Sequence, residues 1–317
     1  MKLPMVLLFI MMLISSCSIN RIATKAVADA LTGTGSSEVF TGDPDPELVG
    51  DAIPFAIKMY EALLSQQPDH QGLILTTGSL FIMYANAFVQ GPAQILPVSR
   101  YDEREQAFAR AKKLYLRGAD ILYGGLDKKY PGFSSAYRSG NQDTYLAKMK
   151  KADVPSLYWI TAGVLSAFSL NPFDLELGVR LPEITALIHR AYELDPDFNN
   201  GAIDDFYVLF YASLPETLGG DKSKVGTHFK RAVEKSKGRT ASPYVSYAEA
   251  VCIPAQDYDT FKTYLEKALA LEVNADPANR LVNILSQRKA QYLLDTASRY
   301  FLDLDSGDEA WEDDFDE

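Results

Sequence analysis

Apolar positions recur along most of this chain at helical spacing, with almost no alternating, period-two segment. The clearest case is 257–271, where Tyr258, Phe261, Tyr264, Leu265, Ala268 and Leu269 share one face by the i, i+3, i+4 rule. Lys262, Glu266 and Lys267 lie outside that face. Prolines punctuate the pattern where helices would start or stop, several after a residue able to cap: Asp45-Pro46, Ser242-Pro243 and Asp276-Pro277. Pro54 is the exception and is expected to kink or restart the first helix. The pattern predicts helices over 46–66, 72–90, 102–124, 142–150, 155–170, 182–194, 202–214, 222–236, 243–253, 257–271 and 277–303. Asp102, three residues before Glu105, reads as a capping-box variant for the third. The expected class is all-α, with about eleven helices.

No charged residue occurs between His70 and Arg100. A membrane helix needs about 20 predominantly apolar residues, and Gly91-Pro92 is expected to close this run near Val89. The remainder, Leu73–Val89, still carries two Thr, a Ser and an Asn. It therefore reads as the innermost helix of a helical protein, covered on most sides by others. Leu73, Leu80, Tyr84 and Phe88 share a stripe. Its aromatic and amide side chains either form plain core or line a cavity. Segments 154–173 and 201–215 are similarly apolar.

The second helices of successive pairs resemble one another: YEALLSQQPDH, RGADILYGG, HRAYELDPDF, KRAVEKSKGR and EKALALEVNADP. Ala191, Ala232 and Ala268 are spaced by 41 and 36 residues, and Ala119 lies 72 before Ala191. The pattern resembles tetratricopeptide repeats, in which a small residue near the end of the second helix admits close helix approach. Such a helical-repeat solenoid offers a concave surface built from its first helices.

Residues 1–16 have a basic start, an apolar core and small residues at the end, as a secretory signal peptide does. Ile14-Ser15-Ser16-Cys17 resembles the bacterial lipobox, which implies lipid on Cys17 and a domain tethered to a membrane surface on its periplasmic side. Residues 17–42, containing TGTGSSE, are expected to be a flexible linker, and 43–303 the helical-repeat domain. With Cys17 lipidated, Cys252 has no disulfide partner and reads as a small buried hydrophobe.

The formal net charge of −11 is concentrated at one end: residues 303–317 contain nine acids and no base. The rest of the chain is nearly neutral, which gives no support to a nucleic-acid surface. The acidic tail, 304–317, reads as a solvated end, or through Trp311 and Phe315 as a segment that docks on a partner or a neighbouring subunit.

The three histidines, His70, His189 and His228, are not spaced with each other, Cys or paired acids as metal ligands are. His70 reads as a turn and His189 as a surface residue. Thr32-Gly33-Thr34-Gly35 lacks the strand and Lys of a phosphate loop, and no G-x-S-x-G elbow occurs. The adjacent acids Asp204 and Asp205 face different directions on a helix. Neither an enzyme nor a metal or other cofactor is expected.

Taken together, GDPDPELVGDAIPFAIKMYEALL (42–64), TTGSLFIMYANAFVQGPA (76–93), AFARAKKLYLRGADIL (107–122) and SLYWITAGVLSAFSLN (156–171) resemble the TatT family, the periplasmic lipoprotein T component of TRAP transporters. The resemblance implies a tetratricopeptide-like protomer curled around a central cleft or pore, and assembly as a homotrimer. It also implies partnership with the transporter's periplasmic substrate-binding protein and a cavity for a small hydrophobic organic ligand. The positions that match are Tyr84, Asn86, Phe88 and Gln90 on the first inner helix and Tyr158 and Trp159 on the second. A tetratricopeptide scaffold for envelope protein assembly, with no small ligand, is the alternative.

Overall fold

The computed structural model describes residues 21–33 and 35–304, and every regular element among them is a helix. The signal segment 1–16, Cys17 and the acidic residues 305–317 lie outside the described residues. The chain packs as two compact units, one ending at Phe198 and the other beginning at Asn199.

The first unit is built on α1 (Pro46–Gln66), α2 (Gln71–Tyr84), α3 (Tyr101–Lys129), α4 (Val154–Ser169) and α5 (Leu181–Leu194). Asp45 caps α1 by accepting from the Leu48 N–H at 3.0 Å. His70 caps α2: its Nδ1 accepts from the Leu73 N–H at 3.1 Å, so Nε2 carries the hydrogen offered to Asp29 Oδ1 at 2.8 Å.

Four expectations are corrected. Residues 21–31 of the expected linker are helical and pinned to the body. Ala28 is buried, the Tyr60 hydroxyl donates to the Leu31 carbonyl at 2.9 Å, and Gln67 Nε2 donates to the Arg21 carbonyl at 2.9 Å. The Gly, Ser and Thr content that marks a linker begins only at Thr32; the Ala-rich stretch before it favours helix. Pro54 does not restart α1, because it sits on the exposed side, where the carbonyl deprived of a partner can turn to water. Asp102 caps nothing, since α3 already begins at Tyr101. Gly91-Pro92 does not end α2 either: the helix widens into a π turn, Ala85–Gln90, and continues over Gly91–Gln94. The Gly91 N–H reaches back to the Asn86 carbonyl, and the wider turn makes room for the Pro92 ring beside the carbonyl four residues earlier.

By length and hydropathy the 24 residues Gln71–Gln94 would pass for a membrane span, but half of their most apolar window is buried within the fold. α2 runs antiparallel to α3, and α3 to α4. Glycines let the three backbones close up. A Cβ on Gly118 would lie 2.6 Å from the Gly78 carbonyl oxygen and 2.8 Å from Ile82 Cγ1. One on Gly163 would lie 2.9 Å from Ile82 Cδ1. Ala111, Tyr115, Ala119 and Leu122 complete the buried face of α3. At the other end Asp153, buried at the start of α4, accepts from Lys129 and from the Tyr130 hydroxyl at 2.8 Å.

The second unit opens with three successive residues in the left-handed region, Asn199, Asn200 and Gly201, of which Gly201 also packs so near Lys235 and Ala232 that a Cβ would meet them at 3.0 and 3.3 Å. It comprises α6 (Ala202–Ser213), α7 (Lys222–Lys235), α8 (Ser242–Tyr247), α9 (Tyr258–Leu269) and α10 (Arg280–Asp295). α8 repeats the device seen in α2: a π turn, Ala248–Cys252, precedes Pro254. Asn283 of α10 is fully buried, accepting from the Ala241 N–H and donating to the Arg239 carbonyl, both at 2.9 Å. Gln287 donates to the carbonyls of Ala268, Leu269 and Leu271 at the end of α9. Cys252 is core, and burial pushes its thiol up to about 12. The repeat alanines Ala119, Ala191, Ala232 and Ala268 are all buried, as close helix approach requires.

The adjacent acids of α6 do diverge. Asp204 is fully buried, with Oδ1 2.6 Å from His228 Nδ1 and Oδ2 2.7 Å from Lys235 Nζ on α7. Burial pushes its carboxyl up, but the hydrogen bonds of His228 and Lys235 outweigh this and hold it below the usual range. Asp205 accepts from the Ser242 hydroxyl at the start of α8, and its other oxygen is buried without a hydrogen bond. Burial pushes this carboxyl upward, against the pull of the Ser242 contact.

Two paired outcomes follow from this packing, both read as unfolding midpoints. Gly118→Ala should destabilise by about 1–3 kcal/mol through overpacking, whereas Gly124→Ala, where an added Cβ meets nothing, should stabilise by about 0.5–1 kcal/mol. At neutral pH, Asp204→Asn should cost about 3–5 kcal/mol by removing the buried carboxylate that Lys235 pairs with. Because the folded Asp204 carboxyl titrates below its ordinary value, that contribution is complete above about pH 4 and is lost as pH falls further. Asp205→Asn has the opposite sign: a raised folded pKa penalises the charged form at neutral pH, so removing the charge should leave stability unchanged or higher.

Candidate functional site

The uncharged character of α2 follows from its surroundings. Between Leu73 and Ala85 no residue is classed as exposed, since α1, α3 and α4 cover it. Exposure resumes at Asn86, inside the π turn, and four of the six sequence-predicted site residues fall at this end of the helix.

Tyr84 and Phe88 stack with centroids 6.0 Å apart and planes 29° from parallel. Phe88 also packs on α1, where a Cβ on Gly50 would lie 2.7 Å from its ring. The Arg110 guanidinium lies 5.6 Å from the Tyr84 ring centroid, with a nitrogen 3.4 Å from the Tyr84 hydroxyl. Five residues further along α3 from Arg110, Tyr115 is fully buried. Asn86 Nδ2 donates to its hydroxyl at 3.2 Å, and that hydroxyl donates to Gln90 Oε1 at 2.6 Å. Burial pushes the Tyr115 phenol up to about 12, against the hydrogen bonds of Asn86 and of Ser166 on α4. At neutral pH it is therefore a neutral relay between two amides. Asn86 and Gln90, four residues apart, lie on one side of the helix and so meet the same phenol.

The amides of Asn86 and Gln90 thus find a side-chain partner, where the sequence offered only backbone, water or ligand. Asn86 Oδ1 and Gln90 Nε2 remain available at the partly open end of the relay. Arg110 has no carboxylate partner among the described residues. Its neighbour on α3, Arg117, instead lies 4.7 Å from the Phe81 centroid and pairs with Glu61 of α1. The Glu61 carboxyl is pushed up by burial but held below its usual range by the hydrogen bonds of Lys58 and Arg117.

Tyr158 and Trp159 do not join this set. They sit edge to face at 5.4 Å near the start of α4, and Tyr158 also packs on Phe198 at 5.3 Å. Ile82 of α2 is level with Gly163 of α4, so at 1.5 Å rise per residue the pair lies about 12 Å or more along the axis from Asn86. Both rings are half-buried.

Sequence reasoning missed Tyr115, Arg110 and Ser166. The signal for Tyr115 was present: it is the one large polar-tipped residue on a stripe otherwise made of Ala111, Gly118, Ala119 and Leu122. As for chemistry, no group of three or more His, Cys, Asp or Glu that could hold a metal occurs among the described residues. His189 is exposed. His228 is enclosed by Asp204, Tyr207 and Tyr211 in the second unit.

The model of the TRAP transporter T-component family matches residues 42–301, nearly all of the two units. The chain is also similar to a protein of Treponema pallidum (strain Nichols), 36% identical over 307 residues that span 92% of this chain and 95% of that one. The chain therefore belongs to the TRAP transporter T-component family.

Proposed function

We propose that this protein is a lipid-tethered accessory component that docks the periplasmic substrate-binding protein of a TRAP transporter and receives a small organic ligand on the α2–α3 wall. The observation that carries the ligand reading is the Asn86–Tyr115–Gln90 relay beside the Tyr84–Phe88 stack, in a chain of this family. Stacked rings supply an apolar surface, and the relay's spare acceptor and donors fix orientation, the division of labour usual in small-molecule sites. Cys17 supplies the tether through its lipobox, with acyl chains holding the domain to the envelope on its periplasmic side. A homotrimer whose protomers each curl around a cleft or pore completes the reading, as the family resemblance implies.

The second reading, a scaffold for envelope protein assembly with no small ligand, draws on a different observation. Phe173, Leu175 and Val179, on the connection between α4 and α5, are largely exposed, as are Leu48 and Phe55 on α1. Exposed apolar side chains serve protein docking under either reading, so the ligand decides between them.

The test uses the chain without its signal and lipid, mixed with the binding protein encoded beside the transporter. Native mass spectrometry reads assembly, and small molecules released on denaturation are identified separately. A trimer that takes up the partner and releases an organic molecule is expected. Asn86→Leu and Gln90→Leu should each weaken ligand retention about fivefold, the worth of one net hydrogen bond, and Tyr84→Ala should abolish it with partner docking intact. A chain that docks client proteins yet never retains a small molecule would establish the scaffold instead.

A further inference from the structure

α7 is the most basic element of the second unit. Residues 222–239 hold seven Lys and Arg against one acid, Glu234. Its inner face is occupied: Val225, His228, Phe229 and Ala232 are buried, and Lys235 is spent on Asp204. On the outer face Lys222, Lys230 and Lys237 are exposed, and no carboxylate pairs with any of them among the described residues. Lys224 widens the same exposed band, although it already pairs with Asp221 at 3.0 Å.

Midway between Lys222 and Lys230 stands Gly226, one helical turn from each. Glycine inside a helix is costly relative to alanine. Most other helical glycines here lie against a neighbouring element, but a Cβ on Gly226 would meet nothing within 4 Å. The row of lysines thus has an unfilled notch at its centre, and nothing in the described packing requires it.

We propose that this outer face of α7 is the seat of the chain's own acidic segment, residues 305–317. Three observations converge on that occupant. The first is charge: the segment carries eight acids and no base, the complement of the band it would meet.

The second is reach. The chain before the segment is anchored by Phe301, which packs on Phe261 of α9 with centroids 4.8 Å apart, and by the Leu302 N–H, bonded to Gln256 Oε1 at 3.0 Å. α9 is the neighbour of α7, since Tyr264 stacks on Phe229 at 4.9 Å. Thirteen residues span up to about 43 Å when extended and about 20 Å as a coil, enough to pass around a helix about 10–12 Å across from the Phe229 side of α7 to its outer face. Tethering at such a distance sets an effective concentration near the millimolar range, enough for weak charge pairs to hold.

The third is the pair of aromatics, Trp311 and Phe315, set among the acids. A ring laid over Gly226 between two ammonium groups gains cation–π contact as well as burial. The notch thus gives the basic face a preference for an acidic peptide with aromatic residues over a purely acidic one.

Zero-length carbodiimide cross-linking of the full chain tests the assignment, because it joins only ammonium and carboxylate groups already in contact. Links from residues 305–317 to Lys222, Lys230 and Lys237 are expected at low salt. They should disappear at about 1 M salt, where the screening length falls to about 3 Å. In a mixture of isotope-labelled and unlabelled chains, the links should stay within one chain. Lys222→Glu with Lys230→Glu and Lys237→Glu, all at exposed positions that spare the core, should raise the rate of Glu-specific proteolysis within 305–317 at least about fivefold as the pairs are lost. Links mainly to lysines other than those of residues 222–237, links mainly between different chains, or a cleavage rate unchanged by the triple substitution would each overturn the proposal.

Discussion

The first unit depends on how closely the backbones of α2, α3 and α4 approach one another. Where Gly78 faces Gly118 there is no room for a side chain on either helix, and Gly163 brings α4 against the same point. That approach encloses a helix with no charge from Gln71 to Ser99. A helix apolar on nearly all sides has no solvent face to sacrifice, so it needs neighbours all round. The exposed end of α2 is correspondingly the place where the enclosure stops, and the polar residues of the candidate site gather there.

The helical architecture was legible because its signals are local. Proline after a capping residue, period 3.6 and small residues near helix ends located most elements to within a few residues, and Asp45 caps α1 as its position implied. Two of the errors share a physical cause, the treatment of proline and glycine as breakers without knowing which side of the helix they occupy. Pro54 faces water and is tolerated; Pro92 is accommodated by a widened turn. The linker reading failed at residues 21–31 because the glycine-rich composition of the following residues was extended backwards over an alanine-rich helix.

The candidate site was half legible. Tyr84, Asn86, Phe88 and Gln90 came from the family resemblance, and for Asn86 and Gln90 there was also the demand of amides in an uncharged helix for partners. What the sequence could not offer was the partner itself, since Tyr115 lies on another helix 25 residues from Gln90. The grouping of Tyr158 and Trp159 with the rest failed for the same reason, as the axial offset between α2 and α4 is a property of packing. The buried Asn283 and the half-buried Gln287, which pin turns and helix ends in the second unit, were also silent in the sequence. Each makes contacts set by tertiary structure rather than by its neighbours in the chain.

Each unit has one long helix with a π turn ahead of a proline, Ala85–Gln90 in the first and Ala248–Cys252 in the second. Such a turn amounts to one residue inserted into an otherwise regular helix. Counting residues along α2 as though it were uniform therefore misplaces everything beyond the turn by about 100° of rotation. Seen this way the turn is a phase shifter. It lets the buried stripe before it and the amides within it belong to one continuous helix while facing different neighbours. A single-residue deletion just ahead of Asn86 would keep the composition and length class of the helix and would turn both amides about 100° away from Tyr115.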